Sequence, residues 1–144
     1  MKKLKFAKKK RITISKAKDR AWKALAKWYR KYATRNGPVP CYTCDRLTPF
    51  ESIQPGHWMT GHTNTNYLNM KYIRPQCWQC NVPFKGQQGI FWERIEEEIG
   101  TEEFIYLRMH SKDFKDITVE DYLAIEEVYK AKLENEKRDK PKYA

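Results

Sequence analysis

Two cysteine pairs, Cys41-Tyr-Thr-Cys44 and Cys77-Trp-Gln-Cys80, stand 32 residues apart, with Gly56-His57 between them and Asn81 directly after the last thiol. A C-x2-C turn presents two sulfurs to one ion, and two such turns complete the tetrahedral S4 set that structural Zn2+ prefers. The alternatives are a disulfide or unrelated buried thiols, and four cysteines in two matched pairs favour the metal. His57 has the one side chain whose ordinary pKa lies near neutrality, which suits a base that activates water. Asn81 offers a hard carbonyl oxygen acceptable to Mg2+ or Mn2+, and ligation of zinc by Cys80 would fix its position. Together these residues have the parts for metal-assisted phosphodiester hydrolysis.

Such residues need a frame, and the charge distribution shows what the frame faces. Residues 1–35 hold 15 Lys and Arg against the single acid Asp19, a net of +14, so they supply all of the excess in a chain of net charge +11. A polyanion is the implied partner, because each neutralised phosphate releases condensed counterions. Lys23, Lys27, Arg30 and Lys31 flank the apolar stripe of a helix in this stretch, and Arg74 and Lys85 flank the cysteine centre; all six are candidate phosphate contacts. Residues 93–136 instead hold 14 acids and 6 Lys or Arg, which argues against their lying along DNA. Packing, dimerisation, or contact with the basic segment of this or another copy suits them better.

Five segments follow from the patterning. Residues 1–14 read as a flexible basic arm. Residues 15–36 read as a basic amphipathic helix capped by Ser15, with Ala21, Trp22, Leu25, Trp28, Tyr29 and Tyr32 as its stripe and Asn36-Gly37-Pro38 as its stop. Trp22 and Trp28 suit a core better than base stacking, because aromatic residues at helical spacing usually pack inward. Residues 37–89, rich in Gly, Pro and Asn, predict short strands and turns around the metal. Residues 90–138 return to helical periodicity. Phe91, Trp92, Ile95 and Ile99 lead to a Gly100 stop, a second helix opens at Thr101, and a third opens at Thr118 with Asp121 completing a capping box. Residues 139–144 read as a tail.

Neither a signal peptide nor a membrane span is legible, so a cytoplasmic protein is expected, with reduced thiols free for metal. No phosphate-loop or dinucleotide fingerprint occurs.

The series Cys-x2-Cys, Gln54-Pro-Gly-His57, Ile73-Arg-Pro-Gln-Cys77-Trp-Gln-Cys80-Asn81 and Lys85-Gly86 resembles HNH endonucleases of the ββα-metal type. It is more closely similar to the phage recombination family NinG, also called Rap, whose helix before the first cysteine pair resembles Arg20 to Arg30. The likeness covers about residues 18–110. It implies an α+β fold: a zinc-stapled, HNH-like ββα-metal core flanked by a basic N-terminal helix and acidic C-terminal helices. It implies a recombination nuclease acting on branched or single-stranded DNA, such as Holliday junctions and D-loops, with recombination or replication proteins as further partners. Two-fold junction symmetry would favour a homodimer.

Carried over by position, His57 is the general base, Asn81 a ligand of a catalytic Mg2+ or Mn2+, and the four cysteines a structural Zn2+ site. Two positions depart from the HNH pattern. Tyr72 stands where an Asn usually orients the histidine, with Asn69 the nearest substitute, and Gly56 stands where many members have Asp. His62, five residues after His57, is a candidate second ligand, with phosphate contact and a polar turn as its other readings; His110 reads as a helix-end residue. A noncatalytic zinc-dependent DNA-binding module and a protein-interaction adaptor are the competing functions.

Overall fold

The computed structural model describes residues 11–113 and 115–138. The expected arm through Lys10 and the tail at 139–144 lie outside the described residues. Among the described residues five helices and two small antiparallel sheets make an α+β fold: α1 (Ile14–Ala33), β1 (Val39–Pro40), β2 (Leu47–Thr48), β3 (Ile53–His57), β4 (Ile73–Cys77), α2 (Trp78–Asn81), α3 (Gln88–Ile99), α4 (Thr101–His110) and α5 (Val119–Arg138). A 3-10 turn at Met70–Tyr72 leads into β4. Among the described residues no helix is long and apolar enough to cross a membrane.

The first helix starts two residues earlier than a Ser15 cap allows. Thr13 is the cap, its extended backbone letting the side-chain hydroxyl accept the Lys16 N–H at 3.2 Å. That satisfies a donor which the open end of a helix leaves without a partner. Ala17, Ala21, Leu25, Trp28 and Tyr29 are buried along one face, whereas Tyr32 ends the stripe at the surface. The predicted box at the other end of the chain forms. Asp121 accepts the Thr118 N–H at 2.9 Å, and the Thr118 hydroxyl accepts the Asp121 N–H at 3.2 Å.

Helices α1 and α5 pack side by side and run in the same direction. Ala17 and Ala21 meet Tyr122, and further along Leu25, Trp28 and Tyr29 meet Tyr129 and Leu133. The acidic helix therefore meets the basic helix of its own chain. Arg20 pairs with Glu126 at 2.8 Å, and Lys130 meets the same carboxylate at 2.6 Å. Burial of Glu126 makes these partners necessary, since an unpaired carboxylate there would lose its hydration without replacement.

Between this helix pair and the α3–α4 hairpin lies the β3–β4 ribbon, paired from Ile53 with Cys77 to His57 with Ile73. Ile73 joins the α1–α5 core, and the adjacent Tyr72 joins the other core with Trp58, Phe91, Ile95, Phe104 and Leu107. The ribbon is thus clamped on both sides. Gly100, at φ +89°, ends α3 and lets α4 begin at once.

A four-cysteine centre beside a histidine cleft

Cys41 and Cys44 lie on the turn between β1 and β2; Cys77 ends β4 and Cys80 sits within α2. Their four sulfurs lie within 4.8 Å of one another, and Cys44 and Cys77 are 3.7 Å apart. All four are free thiols, so no disulfide accounts for the cluster. Tetrahedral Zn2+ with sulfurs at about 2.3 Å separates its ligands by about 3.8 Å, so the cluster could hold a structural metal such as zinc. The surroundings favour thiolate at one corner. Burial opposes charge on Cys41, but the N–H groups of Cys77, Thr43 and Cys44 and the Thr43 hydroxyl outweigh it and bring its pKa to about 6. Burial pushes Cys80 up to about 12, so four ionised sulfurs this close require a cation.

One side chain links this centre to the histidine. Gln76 is fully buried on β4 and donates from its amide to the Thr43 hydroxyl at 3.0 Å and to the Gly86 carbonyl at 2.8 Å; Thr43 lies 3.5 Å from the Cys41 sulfur. The same amide explains Gly56. A Cβ there would fall 2.2 Å from Gln76 Oε1, so the Asp common among HNH sequences has no room here.

His57 ends β3, and its ring Nε2 lies 2.8 Å from the Tyr67 carbonyl oxygen. A carbonyl only accepts, so Nε2 is the protonated nitrogen and Nδ1 keeps its lone pair. Burial lowers the His57 pKa to about 4; the Tyr67 carbonyl opposes this, and nearby His62 adds to it. The imidazole is therefore neutral at physiological pH and able to accept a proton. Its ring centre is 4.4 Å from that of His62 and 5.1 Å from that of Trp22. Tyr67 stacks on His62 and Trp22, at 4.8 Å from each, and Lys18 lies 4.9 Å above the Tyr67 ring. Burial, then the Lys18 charge, lowers the pKa of His62 as well.

A cleft of about 390 Å³ brings together His57, His62, Asn81, Lys85, Gln88 and Trp22. Gln88 donates its amide to the His57 carbonyl at 3.4 Å, and its Oε1 is buried without a hydrogen-bond partner among the described residues. Asn81 and Gln88 carry amide oxygens and His62 an imidazole, and all three residues line the cleft; side chains of these types can bind a divalent ion or a water. Among the described residues no carboxylate lines the cleft.

The remaining cations are placed elsewhere. Arg74 forks onto Glu98, with Nη2 2.5 Å from Oε2, and also donates to the Met70 and Ile73 carbonyls. Arg30 donates to the Ile53 carbonyl at 3.2 Å and so ties α1 to the start of β3. Lys31 lies over Phe50. Lys23 pairs with Asp19 at 2.9 Å and, with Lys27, borders a groove completed by Glu126 and Leu133 of α5. His110 pairs with Asp113 at 2.5 Å near the end of α4, outside the cleft.

A family model described as Bacteriophage Lambda NinG protein matches residues 1–139. The chain belongs to this phage family. No curated protein and no solved structure matches it. The match extends the family likeness from about residues 18–110 to nearly the whole chain, including the basic start and α5.

Within this NinG-family chain, sequence reasoning missed the residue that fixes the histidine loop. Asn66 is fully buried, accepts the Thr63 N–H at 3.0 Å, and donates to the Gly61 and Ser111 carbonyls at 3.0 and 3.1 Å. Its neighbour Tyr67 supplies the carbonyl that holds His57. Thr63 and Thr65 donate to the Ser111 and Asp113 carbonyls, so the loop is laced to the segment after α4. Tyr72, where HNH sequences usually have Asn, is core and donates to the Leu107 carbonyl at 2.8 Å. Asn69 caps the 3-10 turn by accepting the Lys71 N–H. The Thr/Asn-rich run 63–66 was the available signal, since these side chains bond readily to nearby backbone.

Proposed function

We propose that the chain is a metal-dependent DNA endonuclease of phage recombination in which His57 removes a proton from the attacking water. The supporting observation is the His57 ring itself: neutral, held at Nε2 by a backbone carbonyl, and bordering a cleft with Asn81, His62 and Lys85. A hydrogen bond that fixes one ring nitrogen orients the other as a base. A divalent ion bound there would stabilise charge on the phosphate and leaving oxygen. Asn81, with Gln88 Oε1 and His62, would hold it; Lys85 would hold a phosphate oxygen; the four-cysteine centre would keep Asn81 in place through Cys80. Branched or single-stranded DNA is the proposed substrate class, with shape and backbone contacts providing recognition.

A second reading has its own support. His57 is packed closely by Trp22 and Tyr67, as a structural histidine in a noncatalytic DNA-binding module would be. One assay separates the two. Zinc-loaded protein is incubated with linear, single-stranded, flap and four-way-junction DNA, with and without Mg2+ or Mn2+, beside His57→Ala. The nuclease reading expects cation-dependent products and a loss of about 10²–10⁴-fold in the variant at nearly unchanged DNA affinity. Cutting by His57→Ala at the wild-type rate would sink it.

A further inference from the structure

The second cysteine turn holds three large apolar side chains in solvent. Trp78, Val82 and Phe84 are 52%, 52% and 57% exposed, although they flank a buried, zinc-competent cysteine pair. Exposure of three such groups within seven residues is a patch that core formation does not explain. Their presentation is built into the backbone. Trp78 opens α2 and Val82 closes it with a hydrogen bond from its N–H to the Trp78 carbonyl, which puts both one turn apart on one face. The Phe84 N–H bonds to the Gln79 carbonyl, and the Gly86 N–H bonds to the Cys80 carbonyl at 2.7 Å. Lys85, Gly86 and Gln87 then all take positive φ, a conformation that two of the three adopt against their steric preference. The turn is thereby fixed with Asn81, Lys85 and Gly86 on the His57 cleft and Trp78, Val82 and Phe84 exposed beside it.

The charge pattern points to what lies on this patch. From Pro75 to Trp92 the chain has no acid and one charged residue, Lys85. The opposite wall of the cleft is Trp22, on the helix that bears much of the chain's positive excess, with Lys18 one turn before it. A cationic wall and an aromatic lip on either side of one cleft fit a polyanion with accessible ring faces. In a duplex those faces are covered by neighbouring base pairs; in an unpaired strand they are open and stack on aromatic side chains with little regard to sequence.

We propose that Trp78, Val82 and Phe84 form a stacking platform for unpaired nucleobases adjoining the phosphate in the His57 cleft, so that the second cysteine turn selects single-stranded or branched DNA. This deepens the nuclease reading and rests on it for the phosphate's position. Trp78 and Phe84 supply the ring faces, and Val82 fills the space between them and keeps water out.

The test measures binding and cutting separately. In the full zinc-loaded chain carrying His57→Ala, without added Mg2+ or Mn2+, fluorescence anisotropy compares labelled single-stranded, flap and fully paired DNA of equal length. Trp78→Ala and Phe84→Ala should each weaken single-strand and flap binding about tenfold while leaving duplex binding within about twofold. Trp78→Tyr should restore the preference, and Trp78→Leu, which keeps apolar bulk without a ring face, should not. Zinc content and circular dichroism identify any variant that fails to fold, and Phe84→Ala, which does not lie between the two cysteines as Trp78 does, then decides. Equal losses on duplex, or no loss on any DNA, would overturn the platform. Cleavage in the His57 background is read independently. If no divalent ion elicits cutting but the Trp78-dependent preference persists, the nuclease reading fails alone; if cutting occurs and its strand preference ignores both aromatics, the platform fails alone.

Discussion

The cysteine centre and the α1–α5 pair solve the problem of order by different means. The helices bury continuous stripes, so many small contacts share the work and no single atom is indispensable. The centre, between β1 and α3, has strands of two to five residues, and its Trp58, Tyr72 and Ile73 pack into cores shared with the helices. It relies on discrete fasteners: the four sulfurs, the Gln76 amide, and Asn66 with its three hydrogen bonds. The proposed chemistry would sit on the second kind of order, because a cleft with open ring nitrogens and amide oxygens cannot also be filled with packed side chains. The lesson is that the site's precision depends on few groups, each costly to lose.

The largest break in this comparison should come from Cys80→Ser. A structural Zn2+ site contributes apparent folding energy of order 10 kcal/mol, and losing a ligand forfeits much of it. Bound zinc should fall from one equivalent, and limited proteolysis should cut within residues 37–89 while α1 and α5 stay protected. Simultaneous loss of both regions would show that they fold as one unit.

Trp28→Ala probes the other region. It removes an indole 7% exposed that packs at a tilt against Tyr129, and should cost roughly 3–5 kcal/mol by denaturant unfolding. Zinc stoichiometry should nevertheless stay at one. Asn66→Ala comes next, at about 1–3 kcal/mol, since it removes the buried amide that bonds the Thr63 N–H and the Gly61 and Ser111 carbonyls. Its signature is functional as well: catalytic turnover should drop more than DNA affinity, because the Tyr67 carbonyl no longer fixes His57.

The last comparison is in pH. Burial holds the His57 pKa at about 4, below its ordinary 6.5. As pH falls from 6.5 toward 4 the unfolded chain takes up a proton that the folded chain refuses. Stability present above pH 6.5 is therefore lost on acidification, by up to roughly 3 kcal/mol. Denaturant unfolding of wild type and His57→Gln across this range should show a shallower decline in the variant, and parallel curves would mean that His57 is not buried in the neutral form.

The helices were legible because their information is periodic. Leu25, Trp28 and Tyr29 repeat at helical spacing, and Thr118 with Asp121 announces its box within four residues. Thr13 escaped notice because Ser15 is an equally good cap by type, and only the path of the chain chooses between them. In the centre the cysteines were legible by spacing, and His57, His62, Asn81 and Lys85 do meet in one cleft. Arg74 shows the limit: its position beside the centre is plain in sequence, but its pairing with Glu98 joins residues 24 apart on separate elements.

The sequence by itself determined the zinc-competent thiol set, the basic and acidic halves and the helical stripes, since each is a matter of residue type at short separation. Tertiary structure decided which nitrogen of His57 is bare, why Gly56 admits no side chain, and that Asn66 rather than Asn69 fastens the histidine loop. Those depend on contacts between His57 and Tyr67, Gly56 and Gln76, and Asn66 and Ser111. Local preference says nothing about such pairs, because only the folded path sets the distance between them.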